Sequence, residues 1–466
     1  MPTKSPKLTG YIIAVQGPVV DVQCPNAADV PNIHSLLRTK TVEGREVNLE
    51  VAEHRSGNIA RCIAINSTLN LQYKTSVYFE GASIEVPAGE DIFSRIINVL
   101  GDPIDQKGEI TVKETFPIRS AQAVAQIRQI RKGVKRFERI ETGIKMVDLL
   151  FPLLKGSKTG ILGGAGLGKT VIVLEMIYQM IKTHEGTCVF SGVGERVREG
   201  NELYYELSVG NILSRMVITF GQMNEPPGAR FGAAMTGITI AESLQRKNKD
   251  VLLFLDNIYR YIQAGAEIST LLGRVPSETG YQPTLISEAS EFHERIRSDR
   301  EEGGSITAIE TVYVPADDLT DPAVVAIFSF LDSILVLSRE RIQLGLYPAI
   351  DPLLSSCASL DPDIIGQRHY DVAQETIRTF QKYDELKRVV LVIGIDELSQ
   401  ADRTIYERAR KLQNFLTQPF CVAETYTGKK GAYVRLEETI DGCDRIMSGR
   451  VDHIPENKFY MIGSLP

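Results

Sequence analysis

The chain has 466 residues, more than one hydrophobic core usually serves, so two or three domains are expected. Its composition, 43% hydrophobic and 24% charged, is that of a globular protein and excludes a disordered or fibrous chain. The formal net charge of -7 argues against a protein that coats nucleic acid, because that function needs an excess of basic residues. We therefore expect no nucleic-acid partner.

The cysteines and the N-terminus bear on the compartment. The six cysteines are scattered, without a C-x-x-C pair or a histidine at metal-ligand spacing, so we expect packing roles in a reduced compartment. The segment Met1–Leu8 is short and polar, so no signal or transit peptide is expected. No apolar stretch approaches the roughly 20 residues that span a bilayer. Any link to a membrane is expected to come through partner proteins.

Short strand-like segments separated by turns fill the first part of the chain. They are predicted at Gly10–Gly17, Val19–Gln23, Val47–Val51 and Ala60–Ala64. Strands at such short spacing predict a small β-barrel, which we place at residues 1–86.

The pattern changes after the barrel. Strands are predicted at 159–162, 188–191, 216–220, 251–255 and 334–337, and helices at 171–183 and 233–246. This alternation predicts a parallel sheet with crossover helices in a domain spanning 87–360. Amphipathic helices are predicted at 370–387, 402–416 and 436–448, so residues 361–466 are expected to form a helical third domain.

A glycine-rich loop between a predicted strand and a predicted helix matches the pattern G-x-x-x-x-G-K-[ST] in full. Its residues are Gly163, Gly164, Ala165, Gly166, Leu167, Gly168, Lys169 and Thr170. Glycines let backbone N–H groups turn toward phosphate oxygens, and the helix N-terminus adds a favourable dipole. We expect Lys169 to reach the β- and γ-phosphates and Thr170 to ligate Mg²⁺. The alternative is a glycine-rich turn that binds no nucleotide.

Two acidic positions complete the chemistry that a phosphate loop alone lacks. Asp256 ends the apolar run Val251–Asp256, where a carboxylate can hold the metal's water shell, although it could also merely cap the next helix. Glu195 lies in a charged turn between glycines, where it could face the γ-phosphate through a water while Arg196 compensates charge. From spacing alone, a solvated turn explains Glu195 equally well.

Motifs along nearly the whole chain resemble the beta subunit of rotary ATP synthases. They are Gly163–Thr170, Gly194–Asn201, Met223–Arg230, Asp256–Arg260, Leu272–Pro276, Gly280–Thr284, Val314–Pro322 and Asp452–Glu456. The resemblance implies the same three-part layout: an N-terminal β-barrel, a central α/β P-loop domain of the RecA-like kind and a C-terminal α-helical domain.

The resemblance also implies roles for single residues. Glu195 is similar to the family's catalytic carboxylate. Glu199 is similar to a carboxylate near the metal ion, which Thr170 and Asp256 are also expected to bind. Arg196 and Arg260 are similar to its phosphate-sensing arginines. The implied nucleotide contacts beyond the loop itself are Val171, Tyr347, Phe420, Ala423 and Tyr426, the last four around the adenine. ATP, ADP and phosphate would be the substrates, with Mg²⁺ as cofactor.

The implied assembly is a ring that alternates this chain with alpha-type subunits around a gamma-type central stalk. A further arginine would come from the alpha-type neighbour, and Val314–Pro322 includes the loop that touches the stalk in the family. An ion channel in the membrane would be reached through other subunits. The expected location is peripheral, on the cytoplasmic face of a bacterial or archaeal membrane or the equivalent organelle face.

Four other classes of protein share parts of this pattern. A non-catalytic alpha-type subunit is expected to lack the acid at Glu195. A homohexameric secretion or flagellar export ATPase, or a hexameric RNA translocase, shares the loop and core fold, but the segments 223–230 and 420–426 favour the synthase. A vacuolar-type catalytic subunit carries a long insertion, for which residues 108–163 leave too little room.

Overall fold

The computed structural model describes residues 7–81, 83–119, 138–164, 166–184, 186–209, 212–277, 279–298, 303–315 and 318–465. The chain divides into two compact units. The first contains Met1–Gly133, Cys188–Ile306 and Thr320–Ser329, and the second contains Val134–Thr187, Thr307–Leu319 and Phe330–Pro466.

Six antiparallel strands close into a barrel in the first unit. They are β1 (Lys7–Gln16), β2 (Val19–Gln23), β3 (Leu36–Lys40), β4 (Glu46–Arg55), β5 (Ile59–Ala64) and β6 (Ser76–Gly81). The order is β1-β2-β5-β4-β3-β6, and β6 pairs back with β1, so the barrel leaves no free edge. Apolar side chains such as Val22, Leu37 and Leu49 fill its interior. The predicted barrel is confirmed.

The remaining strands and helices follow in chain order. The strands are β7 (Glu85–Pro87), β8 (Ile96–Ile97), β9 (Thr115–Pro117), β10 (Arg139–Ile140), β11 (Leu153–Leu154), β12 (Lys158–Leu162), β13 (Thr187–Glu195), β14 (Met216–Gln222), β15 (Asp250–Asp256), β16 (Ser305–Val312), β17 (Ser333–Val336) and β18 (Ser356–Cys357). The helices are α1 (Lys145–Leu150), α2 (Lys169–Thr183), α3 (Val197–Val209), α4 (Pro227–Gln245), α5 (Ile258–Leu271), α6 (Leu285–His293), α7 (Pro322–Phe328), α8 (Arg339–Gln343), α9 (Pro362–Ile365), α10 (Gln367–Ile393), α11 (Gln400–Phe415), α12 (Glu424–Thr427) and α13 (Leu436–Met447).

In the first unit, four strands lie side by side in the order β15-β13-β14-β8, with β14 parallel to both β13 and β8. Helix α4 packs on β14, β15 and α5. It is apolar almost all round and nearly every residue is buried, as expected for a crossover helix covered on several sides. Pro227 begins this helix, where its missing N–H costs nothing, so α4 starts well before the predicted Ala233.

In the second unit, β12 lies between β16 and β17 and is parallel to both, while β18 pairs antiparallel with β17. The parallel α/β arrangement predicted from the sequence is confirmed. Helices α10, α11 and α13 pack against one another as the predicted helical domain. Gly442 of α13 lets that helix approach α11 closely, because a Cβ there would lie 2.3 Å from Cζ of Phe415. Among the described helices, none is long and apolar enough to cross a membrane.

Candidate functional site

The glycine-rich loop connects β12 to the first turn of α2 in the second unit. Gly166 and Gly168 have φ angles of 76° and 86°, a backbone conformation that side-chain-bearing residues rarely adopt. Lys169 is the first residue of α2, and its Nζ donates to the carbonyl of Gly163 at 2.6 Å. The ammonium group therefore folds back over the loop that precedes the helix. Thus sequence and geometry agree on a loop shaped for phosphate.

The outer face of this loop is accessible. Gly166, Thr170 and Val171 are exposed, Gly164 is half-buried, and Leu167 is packed inside as an anchor. Ala165 lies outside the described residues. Thr170 is therefore accessible to a ligand beside Lys169.

The predicted adenine-binding residues are brought to the same unit as the loop. The backbone N–H of Gln418 donates to the carbonyl of Tyr347 at 2.9 Å, so the two segments that carry these residues lie together. The short 3-10 turn Cys421–Ala423 packs against α2, the helix that starts at Lys169. Helix α2 thus connects the phosphate loop to residues 420–426, which we call the aromatic segment.

The aromatic side chains differ in what they can offer a base. Tyr426 is 80% exposed and Tyr347 is 42% exposed, so both rings have faces open to a ligand. Phe420 is only 6% exposed, so its ring mainly supports the segment from inside. Ala423 is half-buried. Exposed rigid rings suit stacking on a flat base, because little side-chain entropy is lost.

An acidic cluster forms in the first unit where β13 and β15 end. Glu195 is the last residue of β13 and Asp256 the last of β15, at carboxyl ends of neighbouring strands. Gly194 has a φ of 65°, and a Cβ there would lie 3.4 Å from Cβ of Arg260. Nδ2 of Asn257 donates to Oε1 of Glu195 at 3.4 Å. The turn at Gly194 and the hydrogen bond from Asn257 therefore restrict the orientation of the Glu195 side chain.

Electrostatics in this cluster oppose the charged form of Glu195. Burial, followed by the carboxylates of Asp256 and Glu199, raises the pKa of Glu195. Three acidic groups that repel one another are what a divalent cation would stabilise, and Mg²⁺ prefers such oxygen ligands. Mg²⁺ also keeps several waters and uses few protein ligands. Among the described residues, no group of three or more His, Cys, Asp or Glu side chains is arranged to hold a metal ion.

The predicted arginines have different surroundings. Nη1 of Arg260 donates to Oε1 of Gln263 at 2.8 Å, while its buried Nε has no hydrogen-bond partner among the described residues. A guanidinium with buried donor capacity left over suits an anion. Arg196 is exposed and forms an ion pair with Glu199 at 3.7 Å.

Two residues of this cluster were not predicted as site residues. Arg230 packs beside Gly194 and is held by Glu267 through two charge-assisted hydrogen bonds, one of them 3.0 Å long. Asn257 orients Glu195, although sequence reasoning treated it only as part of a motif. In the sequence, the only sign that Arg230 belongs to the site is its position at the end of the motif Met223–Arg230.

The predicted stalk loop is described only in part, because Ala316 and Asp317 lie outside the described residues. At the end of the loop, Asp321 caps α7 by accepting from the backbone N–H of Ala323 at 2.9 Å. It also accepts from the hydroxyl of Tyr281 at 2.7 Å, which in turn contacts the hydroxyl of Tyr259 at 3.0 Å. The end of this loop is therefore firmly anchored.

A phosphate-binding loop between a parallel strand and a helix, on a chain with a β-barrel and a helical domain, defines a nucleotide-binding protein of the α/β class. The nucleotide-binding domain of the ATP synthase alpha/beta family matches residues 143–357, and the beta-barrel domain of the same family matches residues 12–81. The C-terminal domain of V and A type ATP synthase matches residues 359–455. The chain belongs to the ATP synthase alpha/beta family.

These matches confirm the three-part fold and the predicted relationship to rotary ATP synthases. The two matches to the alpha/beta family apply to alpha and beta subunits alike. The beta-type assignment, the domain boundaries and the roles of single site residues therefore stay predictions.

Proposed function

We propose that the chain is the catalytic, beta-type subunit of a rotary ATP synthase, which makes ATP from ADP and phosphate or hydrolyses it as a central stalk rotates. The observation that carries the proposal is the placement of Glu195. Its carboxylate ends a buried strand, is oriented by Asn257 and lies in an acidic cluster beside arginines. Phosphoryl transfer to or from water needs such a positioned group, and a non-catalytic alpha-type subunit is expected to lack it.

The chemistry consists of positioning and electrostatic stabilisation. In this proposal the loop N–H groups and Lys169 bind the phosphates, and Glu195 orients and polarises the attacking water. Arg260, with donor capacity left at its buried Nε, and Arg196 offset the charge that develops on the transferred phosphoryl group.

A bound Mg²⁺ would be held by Thr170, Glu199 and Asp256 and would neutralise charge on the phosphates. The exposure of Thr170, and the repulsion that Asp256 and Glu199 each exert on Glu195, support these assignments. The exposed side chains of Tyr347 and Tyr426, with the half-buried Ala423 and with Phe420 as a buried support, would bind the adenine.

The proposed assembly follows from the family. The chain would alternate with alpha-type subunits in a hexameric ring, and an arginine from the neighbour would complete each site. A gamma-type stalk would contact the loop that Asp321 anchors, and other subunits would connect the ring to an ion channel. The ring would thus lie on the cytoplasmic face of a membrane, or the equivalent organelle face, without crossing it.

Steady-state ATPase activity tests this proposal. The chain is measured alone and after co-expression with the alpha-type and stalk proteins encoded beside it. Because the neighbour supplies part of the site, we expect weak activity alone and strong activity in the complex. Full activity of a homohexamer without partners would contradict the proposal and favour an export-type motor. A complex whose activity survives loss of Glu195 would favour the alpha-type role.

A further inference from the structure

A carboxylate lies in the middle of the most apolar part of α2. Glu175 is 0% exposed, and its neighbours along the helix are buried apolar residues. These neighbours are Ile172, Val173, Leu174, Met176 and Ile177. A buried charge is costly unless hydrogen bonds compensate it, so a carboxylate here needs a reason that packing does not supply.

The hydrogen bonds of Glu175 lead to the aromatic segment, far away in the sequence. Oε2 accepts from the backbone N–H of Val422 at 3.1 Å, and Oε1 accepts from Nε2 of Gln179 at 2.7 Å. The thiol of Cys421 also hydrogen-bonds to this carboxylate, and burial together with Glu175 raises the pKa of Cys421 to about 11. Gln179 reaches Sγ of Cys421 at 3.5 Å. Polar side chains of α2 therefore hydrogen-bond to residues 421 and 422 and hold them against the helix.

A second contact fixes the same segment. A Cβ on Gly431 would lie 2.4 Å from Cα of Cys421 and 2.5 Å from its nitrogen, so only glycine allows this approach of the two backbones. The N–H of Gly431 donates to Oε1 of Glu424 at 2.8 Å. The segment from Cys421 to Glu424 cannot shift without breaking contacts with either Gly431 or Glu175.

In the proposed function, α2 would hold the structures that bind both ends of the nucleotide. Lys169, at its first residue, is in the phosphate loop, and Glu175 follows six residues later, about 9 Å along the helix axis. From these contacts we infer that Glu175 is a positioning residue that sets the distance between the phosphate loop and the segment Phe420–Tyr426, and through it the affinity for the base. This inference rests on the proposed function. Glu175 is buried and acts through Val422 rather than by touching the nucleotide.

The test measures binding of Mg-ATP, Mg-GTP and inorganic tripolyphosphate to the full chain by titration calorimetry. Glu175→Ala removes every acceptor, while Glu175→Gln keeps one oxygen for the N–H of Val422. Thr376→Val is the control, because it removes a different buried polar group of the second unit, a hydroxyl that donates to the carbonyl of Val372 within α10. Loss of a buried hydrogen bond of this kind corresponds to about a tenfold change in an equilibrium constant.

For Glu175→Ala we expect Mg-ATP binding to weaken about tenfold, the preference for ATP over GTP to shrink, and tripolyphosphate binding to stay unchanged. Glu175→Gln should recover most of the ATP affinity, and Thr376→Val should alter none of the three. An unchanged ATP affinity in Glu175→Ala, or an equal loss for tripolyphosphate, would overturn the inference while leaving the proposed function standing. A wild-type chain that binds none of the three ligands would overturn both.

Discussion

Lys145 provides a pH-dependent stability that can be calculated from its surroundings. The side chain is 0% exposed, and its Nζ donates to the carbonyls of Ile462 and Gly463 at 2.8 and 3.0 Å. The ring centroid of Phe415 lies 4.3 Å from the same nitrogen. Burial lowers the pKa of Lys145 to about 7, because these neutral partners replace only part of the lost hydration.

The sign of the pH dependence of stability depends on whether the folded or the unfolded chain binds the proton of Lys145 more tightly. In the unfolded chain Lys145 has an ordinary pKa and stays protonated up to about pH 10. In the folded chain it loses its proton near pH 7, so between these values the unfolded state binds more protons and folding becomes more favourable as pH rises. The slope is at most about 1.4 kcal/mol per pH unit, and the whole window is worth on the order of 4 kcal/mol.

The measurement compares the wild type with Lys145→Met, which keeps an unbranched apolar side chain without a titrating group. Since the chain has no tryptophan, unfolding by guanidinium chloride is followed by far-ultraviolet circular dichroism. Asp148 and the other groups that do not interact with Lys145 titrate in both proteins and cancel in the difference. The difference therefore reports Lys145 together with its electrostatic interaction with the thiol of Cys443. We expect the stability of the wild type to rise relative to the variant from pH 7 to pH 10. A difference that stays constant over this range would refute the reasoning.

Three further substitutions have expected outcomes. Lys169→Met should weaken Mg-ATP binding about 10- to 100-fold, because hydrogen bonds to charged groups are worth about 1.5–3 kcal/mol; unchanged calorimetric affinity would remove Lys169 from the phosphate site. Gly442→Ala should lower the unfolding free energy by about 1–3 kcal/mol through its clash with Phe415, so an unchanged denaturation midpoint would contradict the helix packing. Tyr281→Phe should cost about 1.5 kcal/mol by deleting its bond to Asp321, and chemical unfolding at matched protein concentration checks this.

Elements with clear periodicity were predictable. Strand β2 was predicted with its observed ends, and the phosphate loop was predicted together with its flanking strand and helix. Strand β16 was not predicted, because its sequence SITAIETV mixes polar and apolar residues although all eight are buried. Strand β6 was not predicted either, since Val77 is its one buried residue and leaves little apolar pattern. A strand that is buried on both faces and a strand that is hardly buried both lack the alternation of apolar and polar residues by which strands are predicted.

The candidate site divides in the same way. Glycines, Lys169 and the acid at the end of β15 follow from local motif chemistry, so they were predictable. The bond from Val422 to Glu175 spans 247 positions, and the bond from Asn257 to Glu195 spans 62. Contacts of that range depend on how the chain folds back on itself, which no local pattern specifies.

The most direct test of the catalytic assignment is Glu195→Gln in the assembled complex, with Glu202→Gln as control. Glu202 lies in α3, exposed and paired only loosely with Arg198, so its replacement removes a nearby charge without reaching the acidic cluster. We expect Glu195→Gln to lower turnover at least about 100-fold while Mg-ATP binding is retained, and Glu202→Gln to behave as wild type. Turnover of Glu195→Gln near the wild-type rate would contradict the account and leave the chain a nucleotide-binding, non-catalytic member of its family.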